Sequence, residues 1–198
     1  MIEGFGVKEM KKILVLDCHP RAGSLGSALA DAYAEGAKGV DVRRLALRDL
    51  KIDWGRDPGK KPPVELDIAT AQAAIGEADH LVFVFPVYWG TFPAQLKGFL
   101  DLVFTSGFAF EYQENGIPRG LLAGKSARLI YTSDTPGFLW RWVIGMPAEK
   151  TLRMAVLWLC GIRKVKRTMF GPVVKSAADQ RAGWLERVRG FGERDSRK

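Results

Sequence analysis

The stretch VFVFPVYWGTFPAQLKGFLDLVF, residues 82–104, decides how the fold is interpreted. It begins with a continuous apolar run, which is typical of a strand buried on both faces. Pro86 ends this run, and a turn follows. Pro93 then begins a helix; proline is tolerated in the first turn, because an N–H at that position would have no partner within the helix. The stretch therefore predicts a strand–turn–helix unit with two large aromatic residues, Tyr88 and Trp89, just beyond the carboxyl end of the strand.

The same alternation recurs along the chain. Apolar runs predict strands at 11–18, 42–47, 80–87, 126–134 and 162–171, and helical spacing predicts helices at 24–38, 65–77, 93–104, 147–159 and after Ser176, which caps the last helix together with Asp179. Strands that alternate with helices favour a parallel sheet covered on both faces. We predict one α/β domain over 1–198, a three-layer sandwich with a five-stranded parallel sheet in the order 2-1-3-4-5. Residues 1–10 form an appendage and 190–198 a basic tail.

The composition limits the possible partners. The chain has 198 residues and a net charge of +8, and residues 162–198 hold 11 Lys/Arg against 4 Asp/Glu. A solvated helix face and frayed end explain this excess best, although a basic segment can also attract nucleic acid or an anionic membrane surface. No nucleic-acid motif is present, so we predict no such partner and at most peripheral membrane contact. Cys18 and Cys160 lack disulfide or zinc spacing, which favours a reducing cytoplasm and no metal site.

Three predicted loops meet where ligands bind in such sheets, beyond the carboxyl ends of the strands. The first loop, HPRAGSLGSALA, places Ser24, Leu25, Gly26 and Ser27 at a helix N-terminus, which favours a phosphate, with Arg21 in reach of the same oxygens. It matches neither common nucleotide-binding glycine motif, and Ser24 and His19 could equally be an N-cap and an ordinary loop residue.

The other two loops favour a flat ligand. Backbone groups of Pro86, Val87, Tyr88 and Trp89 can face the edge of a tricyclic ring such as an isoalloxazine, with the aromatic side chains as walls. Packing of these aromatics on neighbouring helices is an equally good interpretation. Thr132, Ser133 and Asp134 could meet the other edge of the ring, although Asp134 could instead hold its own loop by hydrogen bonds to its backbone.

These segments together resemble a known family. HPRAGSL, FPVYWGTFPAQLKGFLDLVFTSGFAFEY, NGIPRGLLAGK and YTSD match, in order and spacing, the NAD(P)H-dependent quinone reductases with a flavodoxin-like fold. That family includes animal two-electron quinone reductases, bacterial modulators of drug activity and ancillary oxidoreductases of potassium-efflux systems. The resemblance runs from about residue 11 to 135, and it is strongest at 85–125.

The resemblance implies a cofactor site and a reaction. His19, Ser24, Leu25 and Gly26 would surround flavin phosphates, and the family often has Asn at the position of Gly26. Residues 86–89 would line the isoalloxazine and 132–134 its other edge. The implied reaction is two-electron ping-pong hydride transfer from NADPH or NADH to a quinone or similar aromatic acceptor, with FAD favoured over FMN, in a homodimer. Alternatives are a regulatory subunit of a potassium-efflux transporter and a one-electron flavodoxin-type carrier.

One segment departs from the family. Many relatives carry a Tyr and a His after the strand that ends near residue 132, whereas this chain reads GFLWRWVIGMP at 137–147. Its proton donor is therefore not transferable from the family, and water is an alternative. Such an apolar segment is unlikely to be exposed in a soluble monomer. We expect Trp140 or Trp142 to roof the acceptor site, with Arg141 at its rim; core packing and a membrane-surface patch are the other interpretations.

Overall fold

The protein is described by a computed structural model covering residues 10–57 and 66–197. Five parallel strands form its main sheet: β1 (Lys12–Asp17), β2 (Asp41–Ala46), β3 (His80–Pro86), β6 (Ser126–Thr132) and β7 (Lys164–Phe170). Their order is β2-β1-β3-β6-β7, which is 2-1-3-4-5 when only these strands are numbered. The predicted fold class is therefore confirmed, and each predicted strand lies within three residues of its observed bounds.

The strand sequences follow their positions in the sheet. The central strand β3, HLVFVFP, is buried along its whole length, because helices cover both faces of the sheet. The edge strands β2, DVRRLA, and β7, KVKRTMF, carry charged residues that remain exposed. Charged side chains on edge strands oppose pairing with another chain.

Within the described residues, six α-helical segments accompany the sheet: α1 (Leu25–Gly36), α2 (Leu66–Glu77), α3 (Ala94–Val103), α4 (Gly137–Leu139), α5 (Pro147–Lys150) and α6 (Ala178–Ser196). Alternate residues of the strands feed two cores. Leu14, Phe83 and Phe85 pack with α2 and α3 on one face. Ile13, Val15 and Val84 pack with α1 and α6 on the other.

Helices α1 and α6 pack closely because glycines line their contact. A side chain at Gly36 would collide with the carbonyl of Arg189, and one at Gly192 would collide with the carbonyl of Tyr33. The last turn of α6 is held by Asp195, whose carboxylate accepts hydrogen bonds from both Arg128 and Lys166. Residues 190–196 thus belong to a docked helix instead of the predicted basic tail.

Several local predictions need correction. Ala177, with no side-chain hydrogen bond, caps α6; the predicted cap Ser176 instead accepts a hydrogen bond from Arg181 Nε at 2.7 Å. The predicted helix at 147–159 is α5 followed by π-helical turns, Thr151–Leu157. A hairpin of β4 (Phe110–Tyr112) and β5 (Pro118–Gly120) was not predicted. Glu65, most of the 1–10 appendage and part of the 54–63 loop lie outside the described residues.

In residues 10–57 and 66–197, none of the helices combines the length and apolar character that a membrane span requires.

Candidate functional site

Backbone hydrogen bonds connect the three predicted loops into one surface at the carboxyl edge of the sheet. The amide of Cys18, after β1, donates to Val84 O at 2.8 Å. The amide of Val87, after β3, donates to Thr132 O at 2.7 Å, and the amide of Ser133 donates to Phe170 O at 3.0 Å. The loops after β1, β3 and β6 therefore lie side by side, as the sheet order requires.

The first loop ends in a capped helix with free amides. The Ser24 side chain accepts a hydrogen bond from Ser27 N at 3.1 Å, and it caps α1. The amides of Leu25 and Gly26 precede the first intrahelical bond, and the described part of the chain offers them no acceptor. These two donors, together with the positive end of the helix dipole, form a cradle suited to an anion.

His19 lies against this cradle. Its Nδ1 accepts a hydrogen bond from Arg21 N at 3.0 Å, so the neutral ring carries its proton on Nε2. Burial and the nearby Arg21 guanidinium lower the pKa of His19 below its usual value. A side chain at Gly26 would bring Cβ within 3.3 Å of His19 Cδ2. A side chain at this position would therefore press against the His19 ring.

Asp17 supports the loop from below, and sequence reasoning missed it. Its buried carboxylate accepts hydrogen bonds from Arg48 Nη1 at 2.8 Å, Arg44 Nη2 at 3.0 Å and His19 N at 3.2 Å. Arg48 Nη1 also donates to His19 O at 3.2 Å. Burial alone would raise the pKa of Asp17, but the hydrogen bonds from Arg48, Ser27 and His19 outweigh it and hold the pKa below its usual range. The only signal in the sequence is a carboxylate at the end of an apolar strand.

The second loop is a tight turn that exposes an aromatic side chain. Tyr88 and Thr91 exchange two backbone hydrogen bonds, at 2.8 and 2.9 Å, around Trp89 and Gly90. Both central residues have positive φ, 50° for Trp89 and 77° for Gly90, a conformation that is uncommon for a bulky residue. The Trp89 side chain is fully exposed, and Tyr88 contacts the edge of the His19 ring with centroids 6.5 Å apart. The alternative that Trp89 packs on a neighbouring helix is therefore wrong.

In the third loop the hydroxyl residues are buried, and the carboxylate is bonded to another segment. Thr132 and Ser133 are both buried, and Ser133 Oγ accepts a hydrogen bond from Thr135 N at 3.1 Å. Asp134 Oδ1 accepts from Val174 N at 2.7 Å. The expectation that Asp134 bonds its own loop is thus wrong, because this carboxylate connects the loop to the segment after β7.

The two tryptophans of the apolar segment 137–147 lie in different environments. Trp140 is 2% exposed and packs in the core against the Tyr131 ring, with centroids 6.3 Å apart, so it cannot wall an open site. Trp142 is 77% exposed, and the Arg141 guanidinium lies 5.2 Å from its ring centroid. The two tryptophans therefore require different interpretations. Trp140 packs in the core, and of the two only Trp142 can form a wall of the acceptor site.

A buried carboxylate anchors the end of this segment, and it also went unpredicted. Glu149 Oε2 accepts a hydrogen bond from the Tyr131 hydroxyl at 2.7 Å, and Oε1 accepts from Arg167 Nη1 at 2.5 Å. Burial and the neighbouring Glu149 raise the pKa of Tyr131 well above its usual value. Helix α5 is thereby attached to β6 and β7, and Ala148 N also donates to Gly90 O at 3.2 Å.

Comparisons with known proteins assign the chain to a family. The model of a family with a flavodoxin-like fold matches residues 11–190, so the chain belongs to that family. The human protein named ribosyldihydronicotinamide dehydrogenase (quinone) is 30% identical over 220 residues, covering 90% of each chain. Alignments with the rat, mouse and orangutan proteins of the same name cover only 59% of those relatives.

Two further relatives extend the comparison. The FMN-dependent NADH:quinone oxidoreductase of Bordetella avium is 41% identical over 138 residues, covering 61% of this chain and 68% of that protein. The crystal structure of Smu.1420 from Streptococcus mutans is 30% identical, with a TM-score of 0.78 over 92% of this chain and 99% of that one. The resemblance inferred from the loop motifs is therefore confirmed at the level of the family.

Proposed function

We propose that this protein is a flavin-dependent NAD(P)H oxidoreductase that reduces quinones or similar flat aromatic acceptors. The observation that carries the proposal is the anion cradle at the α1 N-terminus, which shares one edge of the sheet with the exposed Tyr88–Gly90 turn. The human relative named as a dehydrogenase (quinone) and the Bordetella relative named as a quinone oxidoreductase support it.

The cradle suits the phosphate end of a flavin. The free amides of Leu25 and Gly26 would donate to phosphate oxygens, with neutral His19 adding an Nε2–H donor. Arg21 is exposed and would add charge at the rim. Asp17, Arg44 and Arg48 hold the first loop in shape through their hydrogen bonds to one another and to His19.

The neighbouring turns suit the ring end. The amide of Val87 is bonded to Thr132 O and that of Tyr88 to Thr91 O. Ring contacts in this loop would therefore come from carbonyl groups, the amides of Trp89 and Gly90 and the Tyr88 ring. The amide of Thr135 is bonded to Ser133 Oγ, which fixes the third loop beside it. A bound flavin would supply hydride transfer between a nicotinamide donor and the acceptor.

FMN replaces FAD as the expected cofactor. The earlier preference for FAD has no support in the comparisons, whereas the Bordetella relative is named as FMN-dependent and as using NADH. The cradle offers donors for a single phosphate group, which FMN already satisfies. Either NADH or NADPH would serve as the electron donor.

Trp142 and Arg141 would border the acceptor. The exposed indole offers an apolar face for a flat molecule, and Arg141 beside it would meet the phosphates of the nicotinamide donor. Because the segment 137–147 contains neither Tyr nor His, the proton required by the quinone oxygen would come from water.

The exposed apolar surface of this segment favours a homodimer. Phe138, Trp142, Val143 and Ile144 are each at least 44% exposed, and such clusters mark interaction sites. Sedimentation equilibrium of the purified protein would test the dimer.

The two free thiols, Cys18 and Cys160, are buried, which fits a reducing compartment such as the cytoplasm.

The deciding experiment is isolation of the protein with its pigment. We expect a yellow protein with about one FMN per chain, identified by thin-layer chromatography after heat release. It should oxidise NADH or NADPH only when a soluble quinone such as menadione is present. A colourless protein that binds neither FMN nor FAD on titration would overturn the proposal.

A further inference from the structure

A cavity lies at the edge of the sheet opposite the candidate flavin site, where the strands begin. Its volume is about 560 Å³, within the range of small-molecule sites. The residues that line it come from the amino ends of β1, β3, β6 and β7 and from the last turn of α6: Lys11, Asp79, His80, Gly124, Ser126, Ala127, Lys164, Val165, Lys166 and Asp195. None of them belongs to the flavin site proposed above.

The buried carboxylate of Asp195 is already saturated by protein donors. Oδ2 accepts from Arg128 Nε at 2.5 Å and from the Tyr33 hydroxyl at 3.1 Å. Oδ1 accepts from Arg128 Nη2 at 3.1 Å and from Lys166 Nζ at 2.6 Å. Asp195 therefore neutralises one charge, and it has no free lone pair for a further cation.

The charged side chains that line the cavity leave an excess of positive charge. Three lysines, Lys11, Lys164 and Lys166, face two carboxylates, Asp79 and Asp195, so the difference is +1. Arg128 lies behind Asp195 as its buried ion-pair partner and does not line the cavity. Among the described residues, Lys11 Nζ donates only to a main-chain oxygen, Asp195 O at 2.6 Å. Lys164 is exposed, and its side chain has no ion-pair or hydrogen-bond partner within residues 10–57 and 66–197.

A buried polar atom in the cavity wall is also unsatisfied. His80 is 3% exposed, and its Nδ1 lies 2.7 Å from Ser126 Oγ. Its Nε2 lies 3.4 Å from Asp195 Oδ2, close enough for an electrostatic contact, but it makes no well-formed hydrogen bond in the described residues, and Oδ2 already accepts from Arg128 and Tyr33. When Ser126 donates to Nδ1, Nε2 carries the proton and remains an unused donor at the cavity. Buried donors of this kind usually have a partner.

We propose that this cavity binds the phosphate group of a small molecule. A phosphate group is an anion at neutral pH, which complements the positive excess of the cavity, and its oxygens would accept from the ammonium groups of Lys11 and Lys164 and from His80 Nε2. The apolar walls of Ala127 and Val165 would contact the remainder of the molecule. The site lies far along the strands from the proposed flavin phosphates, and it does not depend on that proposal.

The two histidines of the chain allow the two edges to be observed separately. His19 reports on the cradle at α1, and His80 reports on the amino-edge cavity. Their imidazole ¹H–¹³C signals would be assigned with His19→Gln. Sodium pyrophosphate would then be added to the purified protein at constant ionic strength, with sodium chloride as the reference. We expect a saturable shift of the His80 signal that chloride does not produce.

Matched lysine variants test whether pyrophosphate binds in the cavity. Lys164→Gln removes an exposed, unpaired charge and should weaken pyrophosphate binding about fivefold, the scale of one exposed charge interaction. Lys51→Gln, an exposed lysine after β2 at the opposite edge, should leave binding unchanged. Equal affinity in wild type and Lys164→Gln, or a His80 shift that does not saturate, would overturn the proposal. A shift of His19 alone would place the anion in the cradle and would equally overturn it.

Discussion

At the scale of single residues, Ser24 tests the anion cradle most directly. Ser24→Asp keeps a good N-cap for α1 but adds a negative charge beside the Leu25 and Gly26 amides. We expect the folded variant to lose its flavin, because the charge would repel the phosphate. Flavin content per chain, measured from absorbance after gel filtration, provides the readout.

Ser24→Asn is the matched control, since Asn also caps helices and has nearly the same size as Asp without its charge. It should retain most of the flavin. If Ser24→Asp stays yellow at the wild-type ratio, the phosphate is bound elsewhere.

Substitutions of the two tryptophans in the apolar segment should have different effects, one on stability and the other on kinetics. Trp140→Ala would open a cavity in the core and should lower the free energy of unfolding by about 3–5 kcal/mol. Trp142→Ala removes an exposed ring and should leave stability within about 0.5 kcal/mol while lowering kcat/KM for menadione about tenfold. Urea unfolding and steady-state kinetics measure the two effects. Wild-type quinone kinetics for Trp142→Ala at full flavin content would exclude an acceptor wall at this position.

At the scale of elements, Asp195 connects α6 to the sheet. Burial raises the pKa of this carboxyl, but contacts with His80, Arg128 and Lys166 outweigh the burial and hold the pKa far below its usual value. Asp195→Asn leaves Arg128 buried without its counter-charge, and we expect a loss of about 3 kcal/mol in the free energy of unfolding at neutral pH. Glu193→Gln, an exposed change on the same helix, serves as control and should cost little.

The pH dependence of this loss follows from the direction of the pKa shift. Because the folded state holds the Asp195 pKa below its unfolded value of about 3.8, the stabilisation is fully present above that value. It is lost as the pH falls through the lower, folded pKa. The difference between wild type and Asp195→Asn should thus be constant from pH 6 to 8 and shrink below about pH 4. A difference that grows in acid would contradict this assignment.

Elements with a strong local signal were predictable from the sequence, whereas contacts across the sheet were not. The run LVFVFP at 81–86 and the helical face of α3 indicated β3 and α3 directly. The hairpin of β4 and β5 has strands of three residues, FEY and PRG, which are too short to show alternation. The Ser176 cap was misassigned because Arg181, one turn further on, binds its hydroxyl.

The candidate site shows the same division. Ser24 and the Tyr88–Gly90 turn are local features, and their roles as cap and turn follow from residue type and spacing. Asp17 with Arg48, and Glu149 with Tyr131 and Arg167, bring together residues that are 18 to 31 positions apart. Such pairs depend on strand order and helix placement, so a single sequence does not reveal them.

At the scale of the whole molecule, the proposed function requires one edge of the sheet to serve both substrates. The loops after β1, β3 and β6 are bonded side by side, and Trp142 projects from the segment that follows the last of them. This arrangement offers one open face for a nicotinamide donor and for a quinone. The proposed function therefore requires the oxidised donor to leave before the acceptor enters.

Steady-state kinetics would reveal this order of events. When the menadione concentration is varied at several fixed concentrations of NADH, double-reciprocal plots should give parallel lines, and each substrate should inhibit competitively against the other at high concentration. The Trp142→Ala variant should change the slope for menadione and keep the lines parallel, since it leaves the order of the two half-reactions unchanged. Intersecting lines with wild-type protein would mean that donor and acceptor bind together, and a single shared face at the carboxyl edge would then be ruled out.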